Sequence, residues 1–169
     1  KLHKADFADI HLISHDLTGQ VFDWECFHAL KLPLLGDHQL HNAAVALTAA
    51  TVMQQRGWHL TDEHIREGLA SVRWPGRFDV RRKDPLFIID GGHNPQCIQA
   101  LVKNIQDYLA DRPLTILTGV LADKDYNCMY RNVEPYAKEF ITVTPGNPRA
   151  LNAHELAKYL SQFGKPVTA

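Results

Sequence analysis

Three patterns predict an α/β fold: strands alternating with helices beyond Arg77, a period-two run over 20–27, and an alanine-rich helical period from Gln39. The expected architecture is a Rossmann-like, mostly parallel sheet with flanking helices, preceded by a β-hairpin and two helices. Composition agrees, since 45% of the 169 residues are hydrophobic and 22% charged, too apolar a balance for disorder. Eighteen basic against 19 acidic side chains give a formal net charge of −1. That removes the broad attraction on which a general nucleic-acid or anionic-membrane binder depends.

Taken in order, residues 10–13 suit a strand and Leu17-Thr18-Gly19 is turn chemistry. Over 20–27, Phe22, Trp24 and Cys26 fall on one face while Asp23 and Glu25 fall on the other, the signature of a half-buried antiparallel strand. Residues 30–35 form a short apolar run split by Pro33 and stopped by Gly36. From Gln39 the period becomes helical, with Leu40, Ala43, Ala44, Leu47 and Ala50 or Thr51 on one face and Gly57 at the expected C-terminal cap. Thr61 caps a second helix over about 62–71, whose first turn is acidic.

Trp74-Pro75-Gly76 breaks that helix and marks a domain boundary, giving expected domains of 1–75 and 76–169. Beyond it, 78–82 and 86–89 read as strands joined by a Lys83-Asp84-Pro85 turn. Pro95 opens a helix whose apolar stripe is Ile98, Leu101, Val102, Ile105 and Leu109. Residues 114–120 are near-continuously apolar, as in a strand covered on both faces. A helix over 125–138 should bend or end at Pro135, and 140–143 should be a strand. Asn152 with Glu155 starts a last helix ending near Gly164, and Lys165-Pro166-Val167 enters another strand.

The longest mostly apolar stretch, 43–53, contains two threonines and falls well short of the ~18 residues of a membrane span. No secretory pattern opens the sequence, so a cytoplasmic protein is expected. Three cysteines, Cys26, Cys97 and Cys128, form no CxxC pair and read as reduced thiols, while ten histidines show no metal-ligand spacing. The sequence starts at Lys1 without a methionine and stops just inside an expected strand, the pattern of an internal fragment.

In open α/β sheets ligands bind beyond the carboxyl ends of strands, and two loops qualify. Asp90-Gly91-Gly92-His93-Asn94-Pro95 follows an apolar strand, lets a ligand approach its glycines, and opens a helix whose N–H groups favour an anion. Asp90 could equally cap that helix, and His93 could be a solvated loop residue. Leu121-Ala122-Asp123-Lys124-Asp125 follows the next strand, and its charges could bind a carboxylate or phosphate or form a salt bridge at a helix start. Arg77 offers a planar fork suited to phosphate, although an arginine after a turn is commonly solvated. Around the start of the alanine-rich helix, Asp37 or His38 could serve only as a cap.

In combination, the run Leu34-Leu35-Gly36-Asp37-His38-Gln39 with Asn42, then Trp74-Pro75-Gly76-Arg77, then Asp90-Gly91-Gly92-His93-Asn94-Pro95 closely resembles the folylpolyglutamate synthase family. The likeness is greatest to its bifunctional dihydrofolate synthase members, within the Mur ligase superfamily. Asp123, Lys124 and Asp125, and Pro148-Arg149-Ala150, also resemble that family, which more often has alanine where Gly92 stands.

The resemblance implies that 1–75 ends a central ATP-binding domain and that 76–169 is most of a C-terminal Rossmann-like domain. It implies an ATP-dependent ligase of folate biosynthesis. A carboxylate of dihydropteroate or of a folyl(poly)glutamate becomes an acyl phosphate, which L-glutamate attacks to give an amide. By the same resemblance, Asn42, Arg77, Asp90 and His93 contact ATP, with Asp90 on the ribose. Lys124 and Asp125 close the cleft or meet glutamate, and the whole enzyme is a monomer. No GxxxxGK[ST] motif occurs, so the phosphate-binding loop and the Mg2+ ligands are expected outside this sequence. Two alternatives share the pattern: a Mur-type peptide ligase of cell-wall synthesis, and a non-catalytic nucleotide-binding module.

Overall fold

The structure, a computed structural model, describes residues 2–110 and 112–169. The chain divides into two compact units, the first running to Gly91 and the second starting at Gly92.

In the first unit, β1 (His11–Asp16), β2 (Gly19–Trp24) and β3 (Phe27–Leu32) form an antiparallel sheet in that order. The single strand expected over 20–27 is therefore two. Glu25 takes a φ of 48° and Trp24 pairs directly with Phe27, so the chain has already reversed at that point. Gln20, Phe22 and Trp24 share the buried face of β2, but Cys26 is exposed in the turn and not on that face. Strand β1 is exposed throughout and extends to Asp16, past the expected end at residue 13.

Helix α1 (Asp37–Gln55) starts two residues before Gln39 and packs Leu40, Ala43, Ala44 and Leu47 into one cluster with Phe22, Trp24, Leu30 and Ile65. Each large side chain buried there contributes about 1.5–3 kcal/mol. Gly57, with φ of 87°, ends α1: its N–H donates to Gln54 C=O and the Trp58 N–H to Met53 C=O, the paired bonds of a Schellman cap. Helix α2 (Asp62–Ser71) begins with a reciprocal cap, in which Thr61 Oγ1 accepts from His64 N–H and His64 Nδ1 accepts from Thr61 N–H.

β4 (Asp79–Lys83) and β5 (Leu86–Ile89) complete this unit as a separate antiparallel pair. The expectation that β5 belongs to the parallel sheet is corrected here. Its hydrogen bonds go to the strand just before it, which a tight turn can supply, whereas a parallel neighbour requires a long crossover. Phe87 and Ile89 are exposed, so β5 is also not the buried strand its composition predicted.

The second unit is the expected Rossmann-like layer. Its parallel sheet has the order β6 (Leu114–Thr118), β7 (Ala137–Thr142), β8 (Val167–Thr168). Helix α3 (Pro95–Leu109) buries Ile98, Ile105 and Leu109, α4 (Tyr126–Val133) buries Met129, Tyr130 and Val133, and α5 (Ala153–Leu160) buries Leu156 and Leu160. Pro135 ends α4 through a short 3-10 turn over 134–136, as its missing N–H requires. Strand β6 is covered on one face only, because Leu117 is 63% exposed. Its apolar run signalled burial that this chain does not supply.

Candidate functional site

Within the first unit, three sequence motifs are held by named hydrogen bonds. The side chain of Gln20, buried in β2, donates to Leu34 C=O at 2.8 Å and Gly36 C=O at 3.2 Å. These bonds hold the segment that enters α1, where Gly36 adopts φ 101°, ψ 154° and no side chain forms the N-cap hydrogen bond. Neither Asp37 nor His38 caps α1, contrary to that option. Gly36 is the N-cap, its carbonyl takes the Gln39 N–H at 2.9 Å, and Asp37 sits in the first turn, where its charge suits the dipole. His38 and Asn42 are one turn apart on α1 and so share a face. Asn42 Nδ2 donates to Oε1 of buried Gln39 at 3.1 Å, which orients an exposed amide.

The other two motifs meet across the β4–β5 hairpin. Gly91 N–H donates to Gly76 C=O at 2.8 Å, and a Cβ at Gly91 would lie 3.3 Å from that oxygen. Gly76 itself, at φ 75°, donates to Asp79 Oδ2. Phe78, buried at φ 46°, donates its N–H to Asp90 Oδ2 at 2.8 Å. Asp90 is therefore not the cap of α3. That role belongs to Asn94, whose Oδ1 accepts from Cys97 N–H at 2.8 Å, a better fit because it stands directly before Pro95. Arg77 is exposed between these contacts.

His38 links the motifs electrostatically. Burial pushes its imidazole below the ordinary histidine range, while the Asp90 and Asp37 carboxylates pull it up and the Arg77 guanidinium and His41 push it down. Asn42, Arg77 and Asp90 thus belong to one unit, and His38 feels two of the three motifs at once.

In the second unit, His93 is exposed just before the Asn94 cap. Asp125 caps α4 by accepting from Cys128 N–H, and Lys124 is half-buried with its backbone N–H on Leu121 C=O. Asp123 pairs with Arg149 Nη1 at 2.9 Å, so the charged loop forms a salt bridge to a residue far along the chain and not within the helix start. The Ala122 N–H to Arg149 C=O bond and the Leu121–Ala150 bridge lace the loops that follow β6 and β7. A cavity of about 550 Å3 in this unit is lined by Arg112, Pro113 and Ala137 at the opposite, amino ends of these strands, where such sheets do not ordinarily bind ligands.

Among the described residues, no group of three or more His, Cys, Asp or Glu is arranged to hold a metal ion. No helix among them is long and apolar enough to cross a membrane. Cys26, Cys97 and Cys128 are free thiols. Sequence reasoning missed Gln20. Its only signal was a glutamine on the apolar face of an alternating strand, where a side-chain amide must find partners.

Residues 76–169 match the Mur ligase, glutamate ligase domain. The folylpolyglutamate synthase of Lacticaseibacillus casei is 41% identical over 138 residues, covering 80% of this chain and 31% of that protein. The solved folylpolyglutamate synthase of Thermotoga maritima superposes with a TM-score of 0.82 at 30% identity, covering 94% of this chain and 38% of its own. That of Mycobacterium tuberculosis, complexed with ADP, gives 0.80 at 30% identity over 95% of this chain and 37% of its own. The chain spans about a third of the length of these relatives.

Proposed function

The chain belongs to the Mur ligase family through its glutamate ligase domain, and from that premise we propose that it is part of an ATP-dependent ligase joining L-glutamate to dihydropteroate or to a folyl(poly)glutamate. In this reading 1–75 ends the ATP-binding domain and 76–169 is the glutamate ligase domain, in keeping with the matched range. The observation that carries it is the 41% identity to a folylpolyglutamate synthase over most of the chain. A cell-wall peptide ligase would share the fold but gives no reason for that identity.

The residues of the first unit fit a nucleotide. Arg77 is an exposed guanidinium, Asn42 an oriented exposed amide, and Asp90 a carboxylate held by the backbone. ATP supplies the phosphoryl group that activates the substrate carboxylate, giving an acyl phosphate open to the glutamate amine. For such a transfer the protein contributes positioning and positive charge and needs no nucleophile of its own. Arg77 neutralises phosphate charge, Asn42 holds the base side, and Asp90 accepts from the ribose. His93 is assigned to the nucleotide, and Lys124 and Asp125 to glutamate, by family resemblance, supported by the position of the last two in the loop after β6. Mg2+ is assigned to residues outside this chain, as is the phosphate-binding loop, and no step here is routed through either.

Phosphate release measured with ATP, glutamate and either dihydropteroate or tetrahydrofolate tests the reading in the intact protein that carries this chain. Release that depends on both glutamate and the pterin substrate is expected. Nucleotide binding without glutamate-dependent release would favour the non-catalytic module instead.

A further inference from the structure

Lys124 is flanked by two carboxylates and pairs with neither. Consecutive Cα atoms are about 3.8 Å apart, so Asp123 and Asp125 both stand within side-chain reach of its ammonium. Both are engaged elsewhere. Asp125 Oδ1 accepts from Cys128 N–H at 3.1 Å as the cap of α4, and Asp123 Oδ2 accepts from Arg149 Nη1 at 2.9 Å. Among the described residues the half-buried Lys124 enters no salt bridge.

The backbone delivers Arg149 to Asp123. Arg149 is the one charged residue of 143–152, the segment that follows β7. Its C=O accepts from Ala122 N–H at 2.8 Å, and its own N–H donates to Asn147 Oδ1 at 2.9 Å. On either side, Leu121 bridges Ala150, and Leu151 N–H donates to Val120 C=O at 2.9 Å. Gly119 lets the two segments approach, since a Cβ there would lie 2.7 Å from the Val143 carbonyl oxygen and 2.9 Å from the Pro145 ring. The Arg149 and Asp123 side chains are 62% and 48% exposed, and an exposed pair adds little stability. Its effect on local charge is larger. Without Arg149, residues 121–125 carry two negative charges against one positive, and Asp123 is released toward the neighbouring ammonium.

We propose that Arg149 is a positioning residue that withholds the Asp123 carboxylate from Lys124, leaving the ammonium to meet the carboxylate of the incoming amino acid. This rests on the ligase reading above, in which Lys124 meets glutamate. Arg149 does not touch the substrate and acts through Asp123.

The test is a double-mutant cycle in the intact protein that carries this chain, with rates measured against glutamate at saturating ATP and pterin. Arg149→Gln should raise the KM for glutamate roughly fivefold or more, with the KM for ATP and the melting midpoint unchanged. Asp123→Asn should leave the glutamate KM no higher than in the wild type. The double variant Asp123→Asn/Arg149→Gln should return it to within about twofold of the wild type, because the competing carboxylate is gone. A wild-type KM in Arg149→Gln would overturn the proposal. So would a double variant as impaired as Arg149→Gln, which would place Arg149 on the substrate itself. Acylation of Lys124 by acetic anhydride, followed by mass spectrometry, requires no turnover. It should slow in Arg149→Gln and recover in the double variant. That pattern in a protein without glutamate-dependent phosphate release would support the withholding of Asp123 while removing the ligase reading. Equal acylation rates in all the variants would overturn the withholding itself.

Discussion

The backbone N–H of Phe78 donates to Asp90 Oδ2 at 2.8 Å, tying the turn that carries Arg77 to the loop that begins at Asp90. Phe78 pays for its left-handed backbone, φ 46°, at about 1–2 kcal/mol, and the charge-assisted bond offsets that strain. Asp90→Ala should therefore lower stability by about 1–3 kcal/mol, and Asp90→Asn, which keeps an acceptor, should recover most of it. Urea melts of the two variants decide this. An alanine variant with the wild-type midpoint would mean that the bond contributes nothing. Under conditions where the alanine variant remains folded, its KM for ATP should rise far more than its KM for glutamate, as a ribose contact requires.

Gln20 should be replaceable only by a donor. Gln20→Leu leaves the carbonyls of Leu34 and Gly36 without the amide and should cost about 1–3 kcal/mol. Gln20→Glu should be at least as damaging at neutral pH, because an ionised carboxylate offers no hydrogen to two carbonyl oxygens. Protonation restores a donor, so the deficit of the glutamate variant relative to the wild type should shrink on acidification. A deficit that grows as pH falls would argue against the carbonyl clamp.

Arg77→Ala should leave the melting midpoint nearly unchanged, since the side chain is exposed and in no salt bridge among the described residues. Turnover in the intact enzyme should fall strongly, because a guanidinium on a transferring phosphoryl group can contribute several kcal/mol to the transition state. Wild-type turnover in the purified variant would remove Arg77 from the site.

His38 gives the first unit a pH dependence of known sign. Its pKa is lowered from the ordinary 6.5, chiefly by burial, so between that value and its depressed folded value the unfolded chain binds more protons. The stability contributed by neutral His38 is fully present above pH 6.5 and is lost as pH falls through the folded pKa. His38→Gln should flatten the acid side of a stability-versus-pH curve measured by chemical denaturation. An unchanged slope would show that other groups set it.

Local patterns made most of the elements legible. The Asn94-Pro95 start of α3, the Thr61 cap of α2 and the Gly57 end of α1 each follow from chemistry within a few residues, which a sequence displays directly. The helix-strand alternation beyond α3 likewise announced the parallel layer. The period-two pattern over 20–27 hid the reversal at Glu25 and Cys26, because a tight two-residue turn preserves alternation on either side of it.

What the sequence by itself determined is the set of motif residues, Asn42, Arg77, Asp90 and their neighbours, and the family in which that order occurs. Tertiary structure alone decided their partners. Whether Asp90 capped a helix or held Phe78, whether Asp123 paired nearby or with Arg149, and whether Gln20 pointed at solvent or at two carbonyls were all open in one dimension. The reason is that a carboxylate or amide carries no mark of its acceptor or donor. Hydrogen-bond partners are fixed by which backbone groups the packed core brings within about 3 Å, and those lie 12 to 26 residues away along the chain.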